Sequence, residues 1–507
     1  MTGEGDLTKR QTLLIFTGMM MATFLSSLDT SAVSTALPTI AGDLGGINQL
    51  PWVLTAYLLG SVAATPLYGK LSDLYGRRLL TEVALGVFVA TSVMAAASQN
   101  MIQLVISRGL QGIGGGGLMA MGFIVIGDIF SPRERGRYMA YYTMNFTFSA
   151  LVGPVIGGVF VDVASWRWIF LINIPLGAAA WVMIRRNLSF ALPAREHSLD
   201  IFGASVLVVG VTALILGLAW GGETYPWASV QVTGLLALCA VCGVVFVWWE
   251  MRAAEPILPM RLFRNPTFRI LIGGNVAYGS AGMAVMAFMP LFFQVSMGEP
   301  ATKAGLILAS MSVAVTCGSY LAGRVTTGTG RYRWLLRGAP VLTVVSLVAY
   351  STLDENSTAV SAIPWLAIGG FAMGTAFPTM TTATQNSLEL RDLGAGTAAI
   401  NFFRTLGQTV GVGAYGALLT TRISSELNDL ADRVAIDDLL STPEDIQGLE
   451  PALRDAVEHA VAVATDSIFV AAIPIMAAFV VATWFLPELE LRTTTALSAQ
   501  GQTPAVD

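Results

Sequence analysis

Long apolar runs broken by short polar stretches repeat from one end of the chain to the other, and most of those stretches carry arginine. A helix rises about 1.5 Å per residue and the hydrocarbon core of a bilayer is about 30 Å thick, so a run of about 20 apolar residues reads as one crossing. On that test the pattern predicts fourteen spans: Leu13–Ala36, Leu50–Leu67, Leu80–Ala97, Ile102–Ile126, Tyr138–Phe160, Trp168–Ile184, Ile201–Trp220, Val230–Trp249, Phe268–Phe293, Ala304–Ala322, Leu335–Leu353, Ala362–Thr384, Gly396–Leu419 and Ile468–Leu486. The runs at 304, 335 and 396 are short or rich in Gly and Thr. The polar residues 1–12 precede an apolar run longer than a signal-peptide core, so that run is expected to stay as a span.

The spacing of the runs predicts an organisation. Six spans fill residues 13–186, a polar stretch and a hairpin of two spans fill 187–250, and a charged, proline-bearing linker fills 251–267. Six more spans occupy 268–486, interrupted by a polar loop at 421–465, and a tail follows at 487–507. Gly69-Lys-Leu-Ser-Asp-Leu-Tyr-Gly-Arg77 follows the second span of the first group, and Gly323-Arg-Val-Thr-Thr-Gly-Thr-Gly-Arg331 follows the second span of the second group. Their glycine starts and arginine ends agree and the aspartate does not. The prediction is an all-α integral membrane protein of two six-helix bundles plus an inserted hairpin. Parallel repeats with a binding site between them are a transporter architecture.

Charge gives the orientation. With fourteen spans, twenty-one Lys and Arg residues fall on one side and five on the other, while Arg108 and Arg404 lie inside spans. Short loops rich in Lys and Arg stay in the cytoplasm, so both termini are expected there, in a multi-pass protein of the plasma (inner) membrane.

Composition excludes several function classes. Hydrophobic residues make up 54% of the chain, charged residues 12%, and mean hydropathy is +0.65. A soluble domain carries about 25% charged residues, so a soluble enzyme or a nucleic-acid binder is disfavoured and lipid is the expected solvent. The net charge of -5 is concentrated in 421–465, which holds ten acids against three arginines. Cys239, Cys242 and Cys317 lie in apolar runs and imply no disulfide framework.

The loop Gly69–Arg78, with Asp73, Gly76, Arg77 and Arg78, closely resembles the signature loop of the major facilitator superfamily. Arg108 with Gln111-Gly112 and Gly114–Gly117 resembles its fourth-helix arginine motif, and Gly153-Pro154-Val155-Ile156-Gly157-Gly158 its antiporter motif. Leu28-Asp29-Thr30 through Leu37-Pro38, Trp52–Leu59 and Trp166–Gly177 are similar to stretches of the fourteen-span drug:proton antiporter branch. The resemblance implies the major facilitator fold and proton-driven export of amphipathic drugs by alternating access, with antibiotic resistance as the associated property. It also implies that Asp73 meets the start of a second-bundle helix near Gly394–Gly396 and holds one face closed.

An ionised Asp at the centre of a membrane helix costs roughly 2.5–3.5 kcal/mol on insertion scales, which makes Asp29 a functional candidate. It lies about 24 Å along the first span and Arg108 about 9 Å into the fourth, at similar depth, so the two can face each other as a proton-coupling pair. Gly153, Gly157 and Gly158 are expected to permit close packing and Pro154 to bend its helix. Tyr57, Gln111, Tyr142, Asn145, Phe146, Gln294 and Arg404 are candidates for a substrate cavity. Arg404 needs a counter-charge, a carbonyl or a wet cavity, and no deep acid is expected in the second bundle to supply the first. His197 and His459 fall in loops.

The expected partners are small amphipathic substrates, protons and membrane lipid, with no nucleic acid, no metal, no cofactor beyond the proton gradient, and a monomeric state. A dedicated exporter of one lipid or secondary metabolite is the alternative. A membrane enzyme is disfavoured, because the sequence has no HExxH and no phosphate-binding loop.

Overall fold

A computed structural model describes residues 8–45, 49–188, 200–222, 224–354, 357–389, 392–427 and 450–487. Residues 488–507 of the polar tail, residues 428–449 within the 421–465 loop and most of 187–199 lie outside the described residues. Among the described residues the chain is all-helical. The long helices are α1 (Lys9–Leu44), α2 (Leu50–Tyr75), α3 (Arg77–Ala96), α4 (Met101–Ile129) and α5 (Pro132–Val163). A short α6 (Trp168–Leu171) leads into α7 (Asn173–Asn187), and α8 (Ile201–Trp220) and α9 (Val230–Glu250) form a hairpin. Then come α10 (Pro266–Leu291), α11 (Ala301–Thr329), α12 (Arg333–Tyr350), α13 (Ile363–Ser387), α14 (Leu393–Glu426) and α15 (Pro451–Trp484).

Polar residues between the apolar runs start these helices. Thr8 and Gln11 form a capping box at α1, and Asn100, Asp200, Ser229 and Asn265 each accept a backbone N–H from the first turn of α4, α8, α9 and α10. Gly76 joins α2 to α3 without a spacer. Its φ of 94° is open to glycine and strained for other residues.

Among the described residues eleven helices, three of them taken together with the short helical turns beside them, are long and apolar enough to cross a membrane. α2, α12 and α14 do not reach that standard. Lys70 and Asp73 lower the hydropathy of α2, and Gly, Thr, Asn401 and Arg404 lower that of α14. All three are nevertheless packed into the bundles.

The packing scheme repeats. In the first half α1 packs on α5 and α7, α2 on α4, and α3 on α4 and α7. In the second half α10 packs on α14 and α15, α11 on α13, and α12 on α13 and α15. The halves meet where α2 lies on α14 and α5 on α11, and α8 of the hairpin touches both α2 and α14. Each half has its own apolar core, around Met19, Phe88, Met121 and Tyr142 in one and Tyr278, Phe293, Met380 and Phe469 in the other.

Residues 251–265 strap the parts together at the end that carries the Gly69–Arg78 loop. Buried Glu250 accepts the N–H groups of Ile257 and Leu258 at 3.3 and 3.0 Å. Glu255 pairs with Lys70 of α2 at 2.5 Å, and Arg261 with Asp392 at the start of α14 at 2.6 Å. The hydrogen bond that Arg261 donates to Asp392 favours the charged form of Arg261.

Candidate functional site

The first-half core encloses an ionic cluster. Asp29 of α1 is 1% exposed and Arg108 of α4 is 0% exposed. The Arg108 Nη1 donates to Asp29 Oδ2. Gln111, one turn further along α4, donates from Nε2 to Asp29 Oδ1 at 2.9 Å and to Ser92 Oγ of α3 at 2.8 Å. Asn173, the first residue of α7, donates to the same two oxygens at 3.1 Å each. Arg108 also donates to Gln111 Oε1 at 2.7 Å and to the Val53 carbonyl of α2 at 3.4 Å, and its guanidinium sits 4.4 Å above the Tyr57 ring. One carboxylate thus ties together α1, α3, α4 and α7, while its arginine ties in α2.

A second cluster lies at the loop end, between the halves. Asp73 Oδ2 accepts the backbone N–H of Ala395 at 2.9 Å, in the first turn of α14. A carboxylate at a helix N-terminus is favoured by the unpaired N–H groups and the helix dipole. Arg77 bridges Asp73 at 2.6 Å and Asp128, near the end of α4, at 2.7 Å. Gly69 makes room for this contact, since a Cβ there would come 2.3 Å from the Ala398 Cβ. Arg78 points elsewhere, to Glu82 at 2.9 Å. Nearby, Gln385 of α13 donates to the Phe123 carbonyl of α4 at 3.2 Å, and Gly136 of α5 abuts Thr326 and Gly323 of α11.

The antiporter-like stretch divides. Gly153 and Gly157 lie four apart on one face of α5, and Cβ atoms there would come 2.4 Å from the Ser31 Cβ and 2.6 Å from the Ala32 carbonyl of α1. They let α5 approach α1 two residues beyond Asp29. Gly158 has nothing within 4 Å, contrary to the packing expected of it, because one residue turns it about 100° off that face. Pro154 lies within α5 with its side chain exposed.

The cavity candidates also separate. Tyr57 bonds Ser26 at 2.7 Å and Gln111 holds Asp29, so both belong to the ionic cluster. Tyr142 is 0% exposed, and Asn145 donates to the Met20 carbonyl of α1 at 3.1 Å. Phe146 is half-buried against Tyr142. Gln294 sits in a π-helical turn, Phe292–Ser296, and bonds the Pro290 carbonyl of its own helix. Arg404 lies between rings of both halves, Phe123 at 5.6 Å and Phe377 at 5.3 Å.

Ser92, Asn173, Asp128, Phe123, Phe377 and Gln385 were not singled out from the sequence. Asn173 stood inside the quoted Trp166–Gly177 stretch, and Asp128 was visible as an acid at the end of an apolar run. The second bundle also needs a correction. α15 begins at Pro451, well before the run at Ile468, because Val457, Ala460, Val461 and Ala464 extend its apolar face against Ile423 and Leu427 of α14. Asp466 therefore lies midway along α15, half-buried, with Oδ1 unbonded. His459 lies in the same helix, and His197 falls outside the described residues.

A sequence profile described as Major Facilitator Superfamily matches residues 19–412. The chain belongs to the major facilitator superfamily. This major facilitator protein is 39% identical over 431 residues to the "Multidrug transporter protein MdtP" of Bacillus subtilis (strain 168), covering 85% of this chain and 79% of that one. It is 33% identical over 418 residues to "Multidrug resistance protein 3" of the same organism, covering 82% and 81%. In fold it is similar to the crystallised proton:xylose symporter XylE, with a TM-score of 0.61 at 14% identity over 97% of this chain and 99% of that one. It is a multi-pass membrane transporter and not an enzyme.

Proposed function

We propose that this transporter is a proton-coupled antiporter of the fourteen-span branch, exporting amphipathic drugs or toxic compounds across the plasma membrane by alternating access. The observation that carries the reading is the Asp29 cluster: a carboxylate sealed from solvent and shared among Arg108, Gln111 and Asn173. A proton taken up by Asp29 cancels its attraction for Arg108. The cluster then loses its strongest bond, and α1, α3, α4 and α7 are free to shift against one another. Gly153 and Gly157 transmit the shift, because they place α5 directly on the α1 segment next to Asp29.

The Asp73–Ala395 contact is the gate in this scheme. With the loop end cytoplasmic, as its basic residues favour, the halves are latched on the inner side and cargo leaves outward. Inward-opening breaks the bond to Ala395 and leaves Arg77 to hold Asp73 and Asp128 within the first half. The contacts of α8 with α2 and α14 support counting the hairpin α8–α9 as the two spans added to the bundles in this reading.

The test is accumulation of dyes and drugs in cells with and without the protein, each with and without an uncoupler. Lower accumulation that the uncoupler abolishes, and that Asp29→Asn also abolishes, is expected. Full export by Asp29→Asn would remove the cluster from the coupling scheme. Failure with every amphipathic compound, alongside secretion of a single lipid or metabolite, would select a dedicated exporter instead.

A further inference from the structure

The second half holds a cation whose charge nothing in the described residues balances. Arg404 lies on α14, nine residues past the Ala395 N–H that meets Asp73, or about 14 Å above the latch. Its guanidinium makes one hydrogen bond, from Nη2 to Asn401 Oδ1 at 2.9 Å. Phe123 of α4 and Phe377 of α13 flank it, so rings from both halves define the space it faces. No described carboxylate forms an ion pair with it, and part of its surface remains open.

Arg108 is far better provided for, with a carboxylate, a side-chain amide, a carbonyl and a tyrosine ring, although its Nη2 has no hydrogen-bond partner. Arg404 has two rings and one amide oxygen. A guanidinium carries five N–H donors in a planar fork that fits a carboxylate or sulfonate in two parallel bonds. Cation–π contacts recover about 0.5–2 kcal/mol, less than the several kcal/mol that withdrawing an ion from water costs. The missing element is an anion.

We infer that Arg404 is the charge-recognition point for cargo, and that the preferred cargo is an amphipathic anion: a carboxylate or sulfonate joined to a flat apolar body. The anionic group occupies the open N–H fork. The flat body lies against Phe123 and Phe377. Because Phe123 belongs to the half that carries Asp29 and its carbonyl also holds Gln385, bound cargo bridges the halves immediately above the latch. The inference rests on the reading of this space as the cargo site and adds the charge of what fills it.

Binding of three naphthalene probes to the full-length protein in detergent, read by isothermal titration without any proton gradient, tests it. The probes are 2-naphthylacetate, 2-(2-naphthyl)ethanol and 2-(2-naphthyl)ethylamine, which share one ring system and differ in head charge. The acid is expected to bind at least about 10-fold more tightly than the alcohol, with the amine weakest. Arg404→Gln is expected to erase the acid–alcohol difference, while Arg404→Lys retains part of it. Equal binding of the three by the wild type, or an undiminished difference in Arg404→Gln, overturns the inference. The wild-type series decides alone if the Gln variant does not fold. A preference for the acid without uncoupler-sensitive export would sink the antiporter reading and leave the assignment of Arg404 standing. Export of cations with no charge preference at equilibrium would do the reverse.

Discussion

The two halves share a packing scheme and differ in where they place charge. In both, the fifth helix carries two glycines four apart that press it onto the first: Gly153 and Gly157 against Ser31 and Ala32, Gly407 and Gly411 against Val276 and Ser280. In both, the second helix crosses to the other half through a glycine, Gly69 onto Ala398 and Gly323 onto the Gly136 carbonyl. The ionic groups do not repeat. The first half buries an arginine paired with a carboxylate, and the second holds one with no ion pair to a described carboxylate; Asp73 latches α14, whereas Thr327, four residues past Gly323, donates to the Gly323 carbonyl of its own helix. The two halves thus share backbone approaches and differ in the ionic chemistry built on them.

Removing the two arginines should break the comparison most sharply. Arg108→Met leaves Asp29 buried without its counter-charge, and a buried pair broken from one side loses about 3–5 kcal/mol. Arg404→Met removes a charge that has no ion-pair partner, so stability is expected to hold or rise. Thermal unfolding of the two purified variants measures this. Equal losses would mean that Arg404 has a counter-charge after all.

The glycine pairs come next, because they are the shared part. Gly157→Leu and Gly411→Leu both force a side chain into a neighbouring helix, where a Cβ would already lie 2.6 and 2.9 Å from backbone atoms. Overpacking of this kind costs about 1–3 kcal/mol or more, and both variants should lose yield and transport together. Gly158→Ala meets nothing within 4 Å and should be neutral or slightly stabilising, since Ala is about 1 kcal/mol better than Gly in a helix. Unequal sensitivity of the two Leu variants would show that the repeat is one of shape only.

How far these features could be read in advance follows from their physical range. The apolar runs gave the helices, because burial in lipid is a property of a single segment. α2 and α14 were harder, since helices that line the seam between halves carry polar groups and dilute their own signal. Asp29 and Arg108 stood out as charges in apolar runs. Ser92 and Asn173 did not, because Ser and Asn are unremarkable until packed helices bring Asn173 onto the Asp29 carboxylate and Ser92 onto Gln111 and Asn173. The start of α15 is hidden for the opposite reason: the helix continues past the hydrocarbon-length run at Ile468, supported by contacts to α14 that no local window contains.

The latch gives a smaller effect. An acid at a helix N-terminus contributes about 0.3–1 kcal/mol, and up to ~2 kcal/mol when partly buried. Asp73→Asn should therefore shift the balance toward the inward-open state by roughly 2- to 30-fold. Cysteine accessibility at the loop-end seam reports that shift. Thr327→Asp, at the corresponding place in the second half, should not strengthen closure, because the neighbouring start of α5 already carries an acid, Glu134, in its first turn. A gain in closure there would show that the asymmetry between halves is a matter of sequence and not of fold.

The smallest effect concerns the far ends of the halves. In the first half Asp43 accepts hydrogen bonds from Trp166 Nε1 and Arg167 Nη1 at 2.9 Å each, and Arg167 reaches the Ser98 carbonyl at 3.2 Å, so one exposed carboxylate joins the ends of α1 and α3 to the α5–α6 turn. In the second half Lys303 pairs with Glu299 four residues away, a local contact that joins no separate helices. The bond from Trp166, followed by that from Arg167, holds the Asp43 carboxyl below its ordinary value. A carboxylate lowered on folding stabilises above its unfolded pKa of about 3.9, and that contribution is lost as pH falls through the lower folded value. Wild type should therefore lose a small increment of Tm in this acid window that Trp166→Phe no longer shows, while Lys303→Met leaves the profile unchanged. Because Asp43 is open to solvent, salt should shrink the difference, as it does for surface pairs. An increment that survives high salt would place the clip in the hydrogen bond from the indole and not in the charge of Arg167.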